Sequence, residues 1–278
     1  MAPSLPVPRL IACDLDGTLL TNGNCIPQPH IGAVATLEAM GIVVVIVTGR
    51  PMLSTLGIQR SLGLQAPLVC FNGVWVGHPG APPLHQDMLS PEEVRSALEP
   101  LVARGRGSIN LYPGPERWLM DRLCPTTANW PQLYGVPITV DVGILDHWHE
   151  PSCKILYADE PAEISALCPQ LQSHFGARFH VVISQEDRLE ITRPQATKDR
   201  GLAVLCQHLG IAQAETWAVG DSDNDIEMLR WAGVGLAMGQ ASDRVKAAAG
   251  QVLPSIDEAG LRVLPDLVRQ ARAAASHD

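Results

Sequence analysis

The chain has 278 residues, 46% apolar and only 4% aromatic, enough for one large domain or two ordinary ones with cores filled mainly by Leu, Val, Ile and Ala. Its formal net charge of −9 argues against a general nucleic-acid binder or an anionic-membrane binder, and leaves room for a small anionic substrate wherever a cation inverts the field of one cleft. Seven cysteines without a CxxC pair, an opening MAPSLPVPRL without a basic-then-apolar leader, and a longest apolar run (42–47) far too short for a bilayer point to a cytoplasmic protein with reduced thiols.

In chain order, the first element is an unbroken apolar strand at 10–14, ending in Asp14. Helix 29–41 follows, with Ile31, Val34, Ala35 and Leu37 on its apolar stripe and Gly41 as its stop. A β-branched strand spans 41–48, a helix 51–63 opens on Pro51, and a third strand covers 67–72. The middle changes character. A strand at 84–89 leads to helix 90–105, whose start (Ser90, Pro91, Glu93) is a capping box with proline at the first helical position. Strands at 108–113 and 117–121 come next, then a Pro- and Gly-rich stretch, 122–152, with no readable period. The order recurs as strand 153–159, helix 161–176 and strands 179–184 and 188–192, so the insert contains two βαββ units. Helix 197–210, strand 216–221, helix 223–233 and strand 233–238 resume the alternation. The expected fold is α/β: a doubly wound, Rossmann-like parallel-sheet core at 1–83 and 193–278, interrupted by an inserted α+β domain at 84–192.

Open α/β sheets bind ligands beyond the carboxyl ends of their strands, and here the polar residues gather at those ends. Asp14 and Asp16 follow the first strand, Thr48, Gly49 and Arg50 the second, and Asp221 a late one. Each alone reads equally as a turn or a cap. Together they describe an acidic, hydroxyl-bearing crater. Oxygen donors without a Cys/His set call for a hard cation, Mg²⁺ first. Lys198 stands at a helix start, where a cation opposes the macrodipole, so it has other work, such as meeting phosphate charge.

DLDGT, VTGR, TKDRGLAVL and VGDSDNDIEML occur in the order and spacing of the haloacid dehalogenase superfamily. FNGV, the insert and AMGQASDRVKAAAG resemble its Cof-type branch with a type IIB cap. The resemblance implies a Mg²⁺-dependent phosphatase for a small phosphorylated metabolite, sugar phosphates first. Asp14 matches the nucleophile that forms an aspartyl-phosphate, and Asp16 matches the general acid/base, whose main-chain carbonyl also binds the metal. Thr48, Gly49, Lys198 and Asn224 match phosphate-binding positions. Asp221, with Asp14 and Asp16, completes the metal set, and Asp225 matches a supporting position. Gln240 stands where the branch usually has Asn, and Ala196, Thr197 and Asp199 depart from its small residues around the lysine.

Two rival readings stay open: a phosphosugar mutase of the same superfamily, and a non-catalytic binder of a phosphometabolite. The expected partners are a small metabolite, no nucleic acid and no membrane, with the chain a monomer or small homo-oligomer. HWHE at 147–150 lacks a second ligand cluster and reads as an exposed loop before a zinc site. Cys13 is expected to face the core, because strand neighbours point opposite ways. Tyr112, Arg117, Trp118 and Arg122 are candidates for a substrate pocket or for plain surface.

Overall fold

The computed structural model describes residues 5–21 and 23–276. The chain forms two compact units, one comprising the residues up to Arg50, Leu56–His85 and those from Thr197 on, the other Pro51–Thr55 and Gln86–Ala196.

The first unit carries a five-stranded parallel sheet in the order Gln251–Val252, Val234–Ala237, Thr216–Gly220, Leu10–Cys13, Val43–Ile46. The first strand is central, with Leu10 in register with Thr216 on one side and Val43 on the other. All four of its residues are buried, which explains why the run is apolar without alternation. Leu68–Cys70 adjoins the sheet through a single parallel bridge, Val47 to Val69. It belongs to a small three-stranded sheet with Trp75–Gly77 and His85–Gln86. Helices Gln28–Ala39 and Lys198–Leu209 end as the glycine signals require, with left-handed backbone at Gly41 (φ 76°) and Gly210 (φ 63°). No helix among the described residues is long and apolar enough to cross a membrane.

The second unit is a six-stranded sheet in the order His180–Gln185, Arg188–Thr192, Ile155–Ala158, Ser108–Leu111, Leu119–Met120, Thr139–Val140. Its pairs are antiparallel except the last. Helices Pro91–Val102 and Pro161–Phe175 bury Leu98, Leu101, Ile164 and Leu171 against Ile109, Leu111, Ile155, Leu189 and Ile191. The second βαββ unit is present in full, whereas the first gives this sheet only its helix and its two following strands; the two helices form one layer on one continuous sheet.

Several elements differ from the sequence reading. The expected strand at 84–89 divides: His85–Gln86 joins the small sheet, and Leu89 makes only an isolated bridge to Ser152. The third strand stops at Cys70 because Phe71 and Asn72 both take positive φ. The helix expected at 223–233 is a 3-10 turn, Asp223–Asp225, followed by α-helix Ile226–Trp231. The unreadable stretch holds a one-turn helix, Trp130–Tyr134, the two-residue strand Thr139–Val140 and a 3-10 turn, Ile144–His147, all too short to establish a period. Helix Leu264–Ala275 escaped the reading because alanine dominates its last turns, although Leu264, Val268 and Ala271 are buried at helical spacing.

Candidate active site

The parallel ladder continues one residue past the first strand, since the Asp14 N–H donates to the Val219 carbonyl at 3.0 Å. Asp14 is thus held by rigid sheet and is only 5% exposed. Cys13 faces the opposite way into the core, where burial, with a smaller push from Asp14, raises its thiol to about 12 and leaves it inert. Behind Asp14 the chain folds into a tight turn, with Leu20 N–H donating to Leu15 O (2.8 Å) and Gly17 N–H to Leu20 O (2.9 Å). Gly17 sits at φ 82°, and a Cβ there would lie 2.3 Å from Asp221 Oδ2, so only glycine fits this turn against that carboxylate.

Lys198 supplies the central cation. Its side chain is 1% exposed, and its Nζ donates to Asp14 Oδ1 at 2.5 Å and to Asp225 Oδ1 at 2.6 Å. Burial pulls the ammonium down, but Asp14 and Asp225 outweigh it and hold Lys198 above the ordinary lysine range. The second oxygen of Asp225 accepts from the backbone N–H groups of Asp221 and Ser222, both at 3.0 Å. Asp225 thus ties the lysine to the loop after strand Thr216–Gly220.

Among the described residues, Asp14, Asp221 and Asp225 are the acidic group whose oxygens converge within 4.8 Å. Three carboxylates facing one ammonium leave an excess of negative charge. Burial pushes Asp14 well above the usual carboxylate range, Lys198 pulls against that, and Asp225 and Asp221 add to it. Asp221 is raised to about 6, first by burial and then by Asp225. Thr18 partly steadies Asp221 through a hydroxyl 3.4 Å from Oδ1. An all-oxygen donor set with unbalanced charge suits a hard divalent cation.

Thr48 and Gly49 lie at the end of the neighbouring strand. The Thr48 side chain is buried, and its Oγ1 accepts from the Arg50 N–H at 3.1 Å, which leaves the hydroxyl proton to be donated elsewhere. Opposite Gly49 stands Asn72, whose Oδ1 would lie 3.0 Å from a Cβ at that glycine. Asn72 Oδ1 also accepts from Asn224 Nδ2 at 3.1 Å, so Asn224 reaches the crater through Asn72. Consecutive positive φ at Phe71 (53°) and Asn72 (54°) aims this amide, a strained conformation held by Phe71 N–H to Arg50 O (3.2 Å) and Asn72 N–H to Thr48 O (2.9 Å). Sequence reasoning missed Asn72 as a site residue, though the Asn-Gly pair in FNGV was the available signal.

The carboxylate of Asp16 stands apart from the acidic group and is 54% exposed. Arg50 Nε donates to its Oδ2 at 2.8 Å, and Arg50 Nη2 donates to its Oδ1 and to Asn24 Oδ1. Gln240, the longer residue, uses its length: Nε2 donates to the Gly17 carbonyl at 2.6 Å while Oε1 accepts from the Ile256 N–H at 2.9 Å. Of the other candidates, Tyr112 and Trp118 are buried 5.3 Å apart in an aromatic cluster with Trp130 and Tyr134. Arg117 is paired with Glu150 at 2.6 Å and Arg122 with Asp121 at 2.8 Å. His147 and His149 are exposed and join no ligand cluster among the described residues.

The sequence pattern of the haloacid dehalogenase-like hydrolases matches residues 11–263. The chain is 30% identical over 242 residues to an HMP-PP phosphatase of Cronobacter sakazakii, covering 86% of this chain and 87% of that protein. It is 31% identical over 269 residues to the chloroplastic endoribonuclease YBEY of Arabidopsis thaliana, covering 90% of this chain but only 45% of that protein, so it spans about half of that relative's length. In structure it is similar to a haloacid dehalogenase-like hydrolase from Bacteroides thetaiotaomicron, with a TM-score of 0.82, 24% identity, and coverage of 93% of this chain and 98% of that one. With its acidic residues carried on the ends of a doubly wound sheet and nearly its whole length matched, the chain belongs to the haloacid dehalogenase-like hydrolase family.

Proposed function

We propose that the protein is a Mg²⁺-dependent phosphatase that hydrolyses a small phosphorylated metabolite, a sugar phosphate or related phosphomonoester, through an aspartyl-phosphate on Asp14. The observation that carries this reading is the buried Asp14–Lys198–Asp225 array with Asp221 beside it. A pure binding protein needs no carboxylate held by rigid strand and lysine at the bottom of a crater. The relative in Cronobacter is named a phosphatase, which supports the class of reaction.

Asp14 and Asp221 fit Mg²⁺ as carboxylate ligands, with the main-chain carbonyl of Asp16 as the third protein donor; Asp225 is engaged by Lys198 and two amides and serves to hold them. When bound, the ion offsets charge on the phosphate oxygens. The residues of the chain do the rest. An Asp14 oxygen bonds to phosphorus as the bond to the leaving oxygen breaks, and Asp16 delivers its proton to that oxygen. Asp16 then takes a proton from the water that attacks the phosphorus, which frees Asp14 and releases phosphate. Lys198 keeps the nucleophile's surroundings electrically balanced, while the Thr48 hydroxyl and the Gly49 N–H steady the transferring group. Residues 1–83 and 193–278 form the catalytic core in this reading, and 84–192 form the inserted cap domain.

Hydrolysis of an aryl phosphate with Mg²⁺ is the direct test. Asp14→Asn should lower kcat by at least about a thousandfold. Equal activity, or equal inactivity, of variant and wild type sinks the proposal. Dependence on a bisphosphate activator, with phosphate passed to sugar instead of water, would identify the mutase.

A further inference from the structure

Arg50 has no part in the chemistry above, yet its main chain is anchored on both sides. Its N–H donates to Thr48 Oγ1 at 3.1 Å, and its carbonyl accepts from Phe71 N–H at 3.2 Å. The side chain thus hangs from a fixed point directly past the second strand. Its guanidinium meets both oxygens of Asp16, Nε to Oδ2 at 2.8 Å and Nη2 to Oδ1, the fork geometry that matches a carboxylate in both position and plane. The side chain of Arg50 is 17% exposed against 54% for Asp16, so the arginine is the more enclosed partner. Nη2 also donates to Asn24 Oδ1. Asn24 sits at φ 57°, a left-handed conformation that asparagine tolerates, in a loop closed by Asn24 N–H to Thr21 O (2.9 Å) and Thr21 N–H to Cys25 O (3.0 Å).

We propose that Arg50 is a positioning residue for Asp16, with Asn24 as the brace that holds the guanidinium in place. The proposal rests on the reading of Asp16 as the group that protonates the leaving oxygen. Asp16 projects from a loop and would otherwise sample several rotamers. Held by two parallel hydrogen bonds, it meets an arriving leaving group by giving up one bond and pivoting on the other. Asp16 carries its proton on the oxygen freed from Arg50, recovered from the attacking water of the preceding turnover; that proton moves to the leaving oxygen as the phosphorus–oxygen bond breaks, and Arg50 itself exchanges none. Orientation of this kind matters in proportion to the need for protonation, so it matters most for a basic alkoxide and least for an acidic nitrophenolate.

The test compares kcat/KM, which reports events up to the first phosphoryl transfer, for 4-nitrophenyl phosphate and for an alkyl phosphate, in wild type, Arg50→Gln, Arg50→Lys, Asn24→Gly, Asp16→Asn and Asp16→Asn/Arg50→Gln. The glycine at position 24 keeps the left-handed backbone and removes only the amide. Arg50→Gln should cost the alkyl substrate on the order of tenfold or more and the nitrophenyl substrate at most about threefold. Arg50→Lys, which retains charge without the fork, should resemble Arg50→Gln, and Asn24→Gly should show the same pattern at smaller size. In the Asp16→Asn background the Arg50 effect should vanish. A loss equal across leaving groups, full rescue by lysine, or an undiminished loss without Asp16 would overturn the proposal and make Arg50 a phosphate clamp or a loop tie. Activity surviving in Asp14→Asn would overturn the nucleophile assignment instead, and the role of Arg50 with it.

Discussion

Lys198 shows how one residue can be both the most costly and the most necessary in a site. An ammonium 1% exposed is tolerated only because Asp14 and Asp225 each take a short hydrogen bond from it. Removing it leaves two buried carboxylates without a cation. Lys198→Met should therefore cost about 3–5 kcal/mol of stability in addition to activity, read by denaturant unfolding, and Mg²⁺ should recover part of that loss. A variant as stable as wild type would mean that the carboxylates protonate at no cost. Lys198 was legible in the sequence because a cation at a helix start opposes the helix dipole. The separation of Asp16 from the acidic group was not, because a turn of a few residues decides which way each carboxylate of a D-x-D faces, and spacing does not record it.

At the scale of elements, local rules were read most reliably where the interaction is local. The capping box at Ser90 was visible in four letters and is present in full: Glu93 N–H donates to Ser90 Oγ at 3.2 Å, and Ser90 N–H donates to Glu93 Oε2 at 2.7 Å. Ser90→Ala should cost about 1 kcal/mol, seen as a shift in the denaturant midpoint without a change of slope. His30 is the opposite case. Its helix, Gln28–Ala39, was predicted, but nothing local foretold that its ring would be fully buried, with Nδ1 3.2 Å from Leu19 O and Nε2 accepting from Leu261 N–H at 3.3 Å. Burial lowers the imidazole below the ordinary 6.5, against the opposing pull of its backbone partners. The unfolded chain then binds a proton that the folded one refuses. The contribution of His30 is complete above pH 6.5 and is lost as pH falls below it. His30→Gln should flatten the decline in stability between pH 7 and acid; an unchanged slope would show that the histidine does not control it.

For the whole molecule, ion binding and folding are coupled through the acidic group. Without a cation, Asp221 titrates near 6 in the folded protein, above its ordinary 3.8, so the folded state holds a proton that the unfolded state has released. Stability of the cation-free protein should fall as pH rises from about 4 to about 6, and Mg²⁺ affinity should rise over the same span as the proton is displaced. The Tm gain from Mg²⁺ at a hundred times its Kd, worth about 2.7 kcal/mol, should therefore be nearly full above pH 7 and fall to about half at pH 5. A gain independent of pH would remove Asp221 from the ion's ligands. By itself the sequence determined the alternation of buried strands and helices, and which carboxylates and lysine lie at strand ends and helix starts, because periodicity, caps and strand termini are written over a few neighbouring residues. Only the tertiary structure decided that Asp225 and not the Asp16 carboxylate joins Asp14 and Asp221, that Arg50 and Asn24 take hold of Asp16, and that Asn72 is aimed at Gly49. Those choices depend on parallel strands brought together from positions 10, 43, 68 and 216, and no local pattern encodes contacts across such distances.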